Sequence, residues 1–340
     1  MNRADRFLAW ARPHGVPTFA FELPINLAVL AALGALVWAF RADSFTLNIL
    51  AAAFLFAGLA TAWNIVGGFC GQFSLGHSVF FATGAYTTAN LYLKFQISPW
   101  LALIPSAGLA AVVAVAVSWP VFRLRGPFFS FATMAFTEVL LSLAMYFDGI
   151  TGGSRGISVP FRAGLANMIF KDRFSYALLM LGFLAVALFV LSAIARSRLG
   201  YRLQAIRDNE DAARAAGIDV LREQLVAMAV SAALTGIGGA LFLMYVRVAD
   251  PPTLFSLFDV GVKMALITLI GGIGTIYGPL LGALFVVVLE NFLRAELGGS
   301  IPGGNLIVLG LVLIGTALFL RRGLYGALAS LFVRLGGRTA

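Results

Sequence analysis

Apolar runs of about twenty residues recur along the whole chain and leave few options for its fold. They read as ten spans, at roughly 24–40, 46–66, 75–93, 99–120, 127–147, 174–194, 224–246, 257–273, 277–294 and 304–320. A helix needs about 20 apolar residues to cross the hydrocarbon core of a bilayer. Lipid offers no partner to an open backbone N–H or C=O, so a spanning segment is a helix or part of a closed barrel. Barrel strands are short and alternate in polarity, and these runs do neither. Composition agrees: 60% of the 340 residues are hydrophobic and 11% are charged, against about a quarter charged in soluble domains. The fold class expected is all-α, a polytopic helical membrane protein of about ten transmembrane helices. The membrane domain covers 24–325, between a basic tail (1–23) with Arg3, Arg6, Arg12, Pro13 and Pro17 and a short C-terminal tail (326–340). The N-terminus shows no short apolar core with a small-residue cleavage site, so no signal peptide is expected.

The net charge of +9 does not point to nucleic acid, because the basic residues flank the apolar runs. With the N-terminus placed inside, the connectors on that side hold fifteen Lys and Arg and those on the other side hold eight; Lys263 lies within a span. Positive charge concentrates on cytoplasmic loops. Both termini and the connector 197–223 are therefore expected in the cytoplasm.

Several chemistries are excluded. A phosphate-binding loop of the Walker type needs Gly before Lys, and the three lysines follow Leu93, Phe170 and Val262. Cys70 is the single cysteine, so no disulfide framework or metal set exists, and two histidines supply no nucleophile–base pair. No catalytic residue, cofactor or metal is expected.

Two kinds of segment stand out from the apolar background. The connector Ser197–Glu223 is long, polar and balanced, with five Arg and five acids. Asp208 is placed to cap a short helix, Asn209–Ala216, and Gly217 to stop it. Its alanines, Ala212 and Ala213 among them, leave a smooth face that another protein can approach. The second kind is glycine-rich breaks at Gly67–His77 and Gly271–Pro279. Irregular polar backbone at membrane depth is tolerated where it is buried or lines a cavity, so Gly71, Gln72, Ser74 and His77 are candidates for a pathway. Intramembrane carboxylates and cations are costly and usually face the bundle interior. Glu138, following Thr133 and Thr137, is a further pathway candidate or an interhelical hydrogen-bonding group. Asp259 and Lys263 lie four apart and are expected to pair; Glu290 is a fourth such group.

The segments Gln204–Arg207, Asp208–Glu210, Ala212–Ala213 and Gly217–Ile218 resemble the coupling loop of ABC-transporter permeases of the LivM type, from branched-chain amino acid importers. Gly67–His77, Thr151–Gly156 and Gly271–Pro279 resemble the same family in the same order, over about residues 45–325; Arg155 departs from an acid common there. The resemblance implies a permease that hydrolyses nothing itself. Its partners would be ABC ATP-binding subunits, a second homologous permease, an extracytoplasmic substrate-binding protein and a small-molecule substrate, in a bacterial inner membrane. Arg207, Asp208, Glu210, Ala212, Ala213 and Gly217 would contact the ATPase subunit. The loop Asp148–Arg173, with Arg155, Arg162, Lys171 and Arg173, would meet the binding protein. An ion-coupled secondary transporter also fits broken helices and intramembrane charges, but it has no use for the loop 197–223. A scaffold or sensor, the third class, predicts no uptake.

Overall fold

A computed structural model describes residues 19–124, 126–297, 304–319 and 323–336; the N-terminal tail up to residue 18 and Arg125 lie outside the described residues. The chain runs through α1 (Phe19–Ala39), α2 (Ser44–Asn64, continued as a π-helical turn Ile65–Phe69), α3 (His77–Phe95), α4 (Pro99–Val121) and α5 (Pro127–Tyr146). It continues through α6 (Arg173–Arg196), α7 (Arg198–Asp208), α8 (Glu210–Ala215) and α9 (Val220–Val246). A turn Pro251–Leu254 and a π-helical stretch Leu257–Val262 lead into α10 (Lys263–Gly271). The chain closes with α11 (Gly278–Leu297), α12 (Gly304–Phe319) and α13 (Gly323–Gly336). All ten expected spans are helical, and the expected C-terminal tail carries most of α13.

Among the described residues, seven helical segments are long and apolar enough to cross a bilayer, at 44–69, 99–121, 127–146, 173–196, 220–246, 251–271 and 278–296. Two more, Leu23–Ala39 and Ile307–Thr316, are apolar but shorter. The helix left out, α3, is 19 residues long but carries His77, Ser78, Thr83, Thr87, Thr88 and Asn90. Its polarity follows from its position. Most of α3 is buried against α4 and α9, so it meets protein where an outer helix meets lipid. Thr83 donates its hydroxyl to the carbonyl of Val79 (2.8 Å) and Thr87 to that of Thr83 (2.7 Å), which satisfies both within the helix.

The core has two linked parts. In one, α2 packs on α6 and α11, with Phe54 and Trp63 fully buried. In the other, α9 lies between α3 and α4 at glycine contacts: a Cβ on Gly84 would overlap the carbonyl of Gly236, and one on Gly239 that of Phe81. By contrast α4 and α5 are mostly exposed and form an outer face.

Two ends of the bundle are defined by contacts between connectors. At one end lie 65–76, 197–219 and 272–277. At the other, the strands β1 (Ile157–Ser158) and β2 (Val248–Ala249) pair antiparallel, and Lys94 and Asn90 donate to the carbonyls of Gly149 (2.6 Å) and Ile150 (2.8 Å). The connectors at 65–76, 197–219 and 272–277 thus share one end, and those around 147–172 and 247–250 the other. Asp43 and Asp172 cap α2 and α6; hydrogen bonds from Thr46 and Ser175 hold their carboxyls below the usual carboxylate range.

The expected Asp259–Lys263 pair does not form. Asp259 accepts from the hydroxyl of Ser256 at 2.9 Å, and that hydroxyl caps the π-helical stretch by accepting from Asp259 N–H at 3.0 Å. Lys263 instead reaches Glu290 on α11 at 2.5 Å, and Glu290 also takes Arg294 at 2.7 Å. Asp259 is exposed and already accepts from Ser256, whereas Glu290 is buried beside the part-buried Lys263 and takes the pair. Lys263 also lies 4.4 Å from the centre of the Phe56 ring, a favourable cation–π geometry.

Candidate functional site

The connector between α6 and α9 is built as two helices, one more than expected. Ser197 caps α7 by accepting from Gly200 N–H at 3.3 Å. Leu203 and Ile206 are buried beneath α7, and Arg202 is paired with Glu223 of α9 at 2.5 Å. The cap of α8 is Asn209, not Asp208: Asn209 is extended and accepts from Ala212 N–H at 3.0 Å, whereas Asp208 still belongs to α7. The helix is accordingly Glu210–Ala215, a residue shorter at each end than expected. Gly217 has φ +83°, and the amides of Gly217 and Ile218 donate to the carbonyls of Arg214 (3.0 Å) and Ala213 (3.1 Å). These are the two bonds of a Schellman stop, so the expected role of Gly217 in ending the helix is met.

The exposed surface of α8 differs from the expected one. Ala213 is buried against its own chain, because α8 turns that side to the bundle. Ala212, Ala215, Ala216 and Gly217 are exposed and form the small face, flanked by Asp208, Asp211 and Arg214. Glu210 is part-buried and paired with Arg214 at 2.9 Å. Arg207 is partly exposed, yet its guanidinium reaches the membrane helices. Its Nε and NH2 donate to Asp208 Oδ1 at 3.2 and 3.1 Å, and its NH1 donates to the carbonyl of Gly68 at 3.2 Å.

That carbonyl belongs to the first glycine-rich break. After the π-helical turn the chain runs irregularly through Cys70–Gly76 before α3, and its polar groups are met one by one. Gln72 N–H donates to Val66 C=O (3.0 Å), and Leu75 N–H to Thr133 Oγ1 (3.1 Å). Trp63 Nε1 donates to Ser74 C=O (2.7 Å), and Ser130 Oγ to Phe73 C=O (2.6 Å). Gly76 is required where it stands, since a Cβ there would lie 2.7 Å from the carbonyl oxygen of Thr133.

His77 is fully buried between two serines, with Nδ1 3.0 Å from Ser74 Oγ and Nε2 2.9 Å from Ser231 Oγ. Ser231 donates its own hydrogen to Ala62 C=O at 2.7 Å. It must therefore accept from His77, which puts the ring proton on Nε2 and leaves Nδ1 to accept from Ser74. The expected pathway set thus divides. Ser74, His77 and Thr133 are buried and partnered within the chain; Gly71 and Gln72 lie at the loop end; Glu138 stands apart, exposed on the outer face of α5. This arrangement gives His77 a structural task. His77→Ala strands the Ser74 hydroxyl, while Ser231 keeps its bond to Ala62 C=O and loses only a donor; an unsatisfied buried partner costs about 1–3 kcal/mol. The expected result is a lower unfolding temperature in detergent with uptake per folded molecule retained; unchanged stability with abolished uptake would instead make His77 a pathway group.

Sequence reasoning missed Asn64, which is fully buried at the end of α2. Its Oδ1 accepts from Gly274 N–H at 2.9 Å and its Nδ2 donates to Thr275 C=O at 2.8 Å. Asn64 thereby ties the first glycine-rich break to the second, which forms the α10–α11 turn. An amide deep in an apolar span, three residues before two glycines, was the available signal.

Among the described residues, seven apolar segments long enough to span a bilayer, a buried polar helix and a structured polar connector at one end define a multi-pass helical membrane protein. Residues 45–317 match the family described as branched-chain amino acid transport system / permease component, and the chain belongs to that family. It is 30% identical over 284 residues to the high-affinity branched-chain amino acid transport system permease protein LivM of Escherichia coli, covering 76% of this chain and 66% of that protein. The chain thus spans a little under two-thirds of that relative. A probable LivM of Methanocaldococcus jannaschii is 28% identical over 57% of this chain and 55% of its own length. The permease protein LivH of Escherichia coli is 24% identical over 71% of this chain and 82% of its own length. No solved structure matches.

Proposed function

We propose that the chain is the permease subunit of an ATP-driven importer, in a bacterial inner membrane with both termini cytoplasmic. The cargo is a branched-chain amino acid, as the names of its relatives say of them, or a related small amino acid or amide. One observation carries this reading beyond family membership. The connector 197–219 is a capped, two-helix element that buries Leu203, Ile206 and Ala213 in its own chain and still presents a small, exposed face. A connector that only joined two spans would need a few residues. The face suits close docking of ATP-binding subunits, and the chain performs no hydrolysis of its own. At the opposite end, the exposed Arg155, Arg162, Lys171 and Arg173 suit an acidic surface on a soluble binding protein.

The pathway is assigned to the outer face of α5. Glu138 is the twelfth of twenty residues in that apolar helix, it is exposed, and its carboxylate has no partner among the described residues. A charge at the centre of a bilayer faces protein or water, not lipid. The core between α2, α3 and α9 is filled, so the route runs along α5 beside a second permease subunit.

Uptake by proteoliposomes tests the reading. Transport should require ATP, the ATP-binding subunits and the binding protein, and Glu138→Leu should reduce it with the complex intact. Uptake by this chain alone on an ion gradient would replace the importer with a secondary transporter. Sidedness has its own check. In a background with Cys70 replaced, a cysteine at Asn209 should label from the cytoplasm only and one at Ser158 from outside only. Labelling of Asn209 from outside would invert the topology.

A further inference from the structure

The coupling connector touches the membrane helices at a point that docking alone does not require. Its covalent continuations, α6 and α9, are the ordinary routes by which a displaced loop would move the spans. Arg207 supplies another. It reaches 139 residues back to the Gly68 carbonyl at 3.2 Å. That carbonyl stands at the C-terminal end of α2, where a helix leaves its last acceptors without intrahelical donors and favours a cation.

The surroundings are shaped to this side chain. A Cβ on Gly71, where φ is +76°, would lie 2.7 Å from Arg207 Cγ. One on Gly274, where φ is +72°, would lie 3.1 Å from Arg207 NH1. One on Gly68 would lie 2.6 Å from Gly274 N. The two glycine-rich breaks are already tied by Asn64, through Gly274 (2.9 Å) and Thr275 (2.8 Å). Asp208 holds the other edge of the guanidinium through Nε and NH2 at 3.2 and 3.1 Å, which leaves NH1 aimed into the knot. Three elements thus meet on one cation: the end of α7, the end of α2 and the α10–α11 turn.

We propose that Arg207 is the transmission strut of the permease. It carries movement of α7 and α8 into α2 and into the α10–α11 turn; it does not hold the ATP-binding subunit. This rests on the reading of 197–219 as the coupling element. The glycines are the slot in which the strut lies, and Asn64 makes α2 and the α10–α11 turn respond together. A lysine would reach one carbonyl but lacks the fork that holds Asp208 at the same time.

The test uses the complete transporter in proteoliposomes, with Arg207→Ala, Arg207→Lys and Gly71→Ala compared with Ala212→Trp on the docking face. Gly71→Ala displaces the arginine stem without altering any residue of the connector. Arg207→Ala and Gly71→Ala should leave the ATP-binding subunits bound and basal ATP hydrolysis unchanged. Both uptake and stimulation of hydrolysis by the binding protein should fall by the factor typical of coupling between distant sites, roughly 5–150-fold. Arg207→Lys should fall between Arg207→Ala and wild type. Loss of the ATP-binding subunits from purified Arg207→Ala would overturn the proposal, because Arg207 would then be a docking residue. Normal uptake in Arg207→Ala, or a dead Arg207→Ala beside a normal Gly71→Ala, would overturn it too. Normal uptake in Ala212→Trp as well would remove the coupling reading itself, whereas normal uptake in the Arg207 variants alone would remove only the strut.

Discussion

Ala212→Trp and Ala216→Trp are expected to abolish uptake while the membrane domain inserts and purifies as wild type does. Both alanines are exposed on the face of α8 turned away from the bundle. An indole there meets nothing in its own chain, so the helix should stay capped by Asn209 and stopped at Gly217. What it changes is the distance of approach: two surfaces that match through small side chains are held apart by a ring. Interface cores are packed as closely as protein interiors, so a gap of that size removes most of the contact. Ala213→Trp would be a poorer probe, because Ala213 is buried and the ring would unseat α8 from its own chain. Gly217→Val tests the same element more gently. A Cβ at Gly217 meets no atom within 4 Å, so its cost is backbone strain alone, about 1–2 kcal/mol, and a partial loss of uptake is expected. Full uptake by both tryptophan variants would show that this face docks nothing.

These substitutions also mark how far the sequence could be read. The helices and the apolar runs that form them were legible because lipid permits so little else. The stop at Gly217 was legible because a left-handed residue after a helix is a local requirement. The cap was misplaced by one residue, since Asp208 and Asn209 are both good caps and the choice depends on where α7 ends. The inward turn of Ala213 and the reach of Arg207 to Gly68 were not legible. Alanine carries no mark of which side of a short helix is covered, and an arginine in a polar connector reads as solvated until its partner, 139 residues away, is known. Asp259 and Lys263 show the same limit: spacing on one helix offered a pair, and Glu290 on another helix took it. Glu138 is the reverse case. Its sequence context left open whether it faces the bundle interior, and its exposure on α5 turns it outward.

The glycines press the point hardest, and they carry the largest stability effect expected. Gly239→Leu should leave the protein unable to hold its fold in detergent. Helices in lipid gain little from apolar surface as such and depend on close packing and small residues where they cross. At the crossing of α9 with α3, a Cβ on Gly239 would overlap the carbonyl of Phe81, and a Cβ on Gly84 that of Gly236. Those obstacles are backbone atoms fixed within helices, so neither side can swing away. Gly236 is closed on its other side by Ala110 Cβ at 2.7 Å and the Ser106 carbonyl at 3.0 Å, so α9 cannot back off without pushing into α4. Overpacking costs about 1–3 kcal/mol where a core can adjust; here three helices would have to separate, and the loss should exceed that range. Gly108 on α4 and Gly182 on α6 supply the control, since a Cβ at either meets no atom within 4 Å. Gly108→Leu and Gly182→Leu should migrate as monodisperse protein on size exclusion, with unfolding temperatures close to wild type, while Gly239→Leu and Gly84→Leu aggregate. A Gly239→Leu protein as stable as wild type, or a Gly182→Leu protein that fails as badly, would mean that the α3–α9 crossing is not where this bundle is held together.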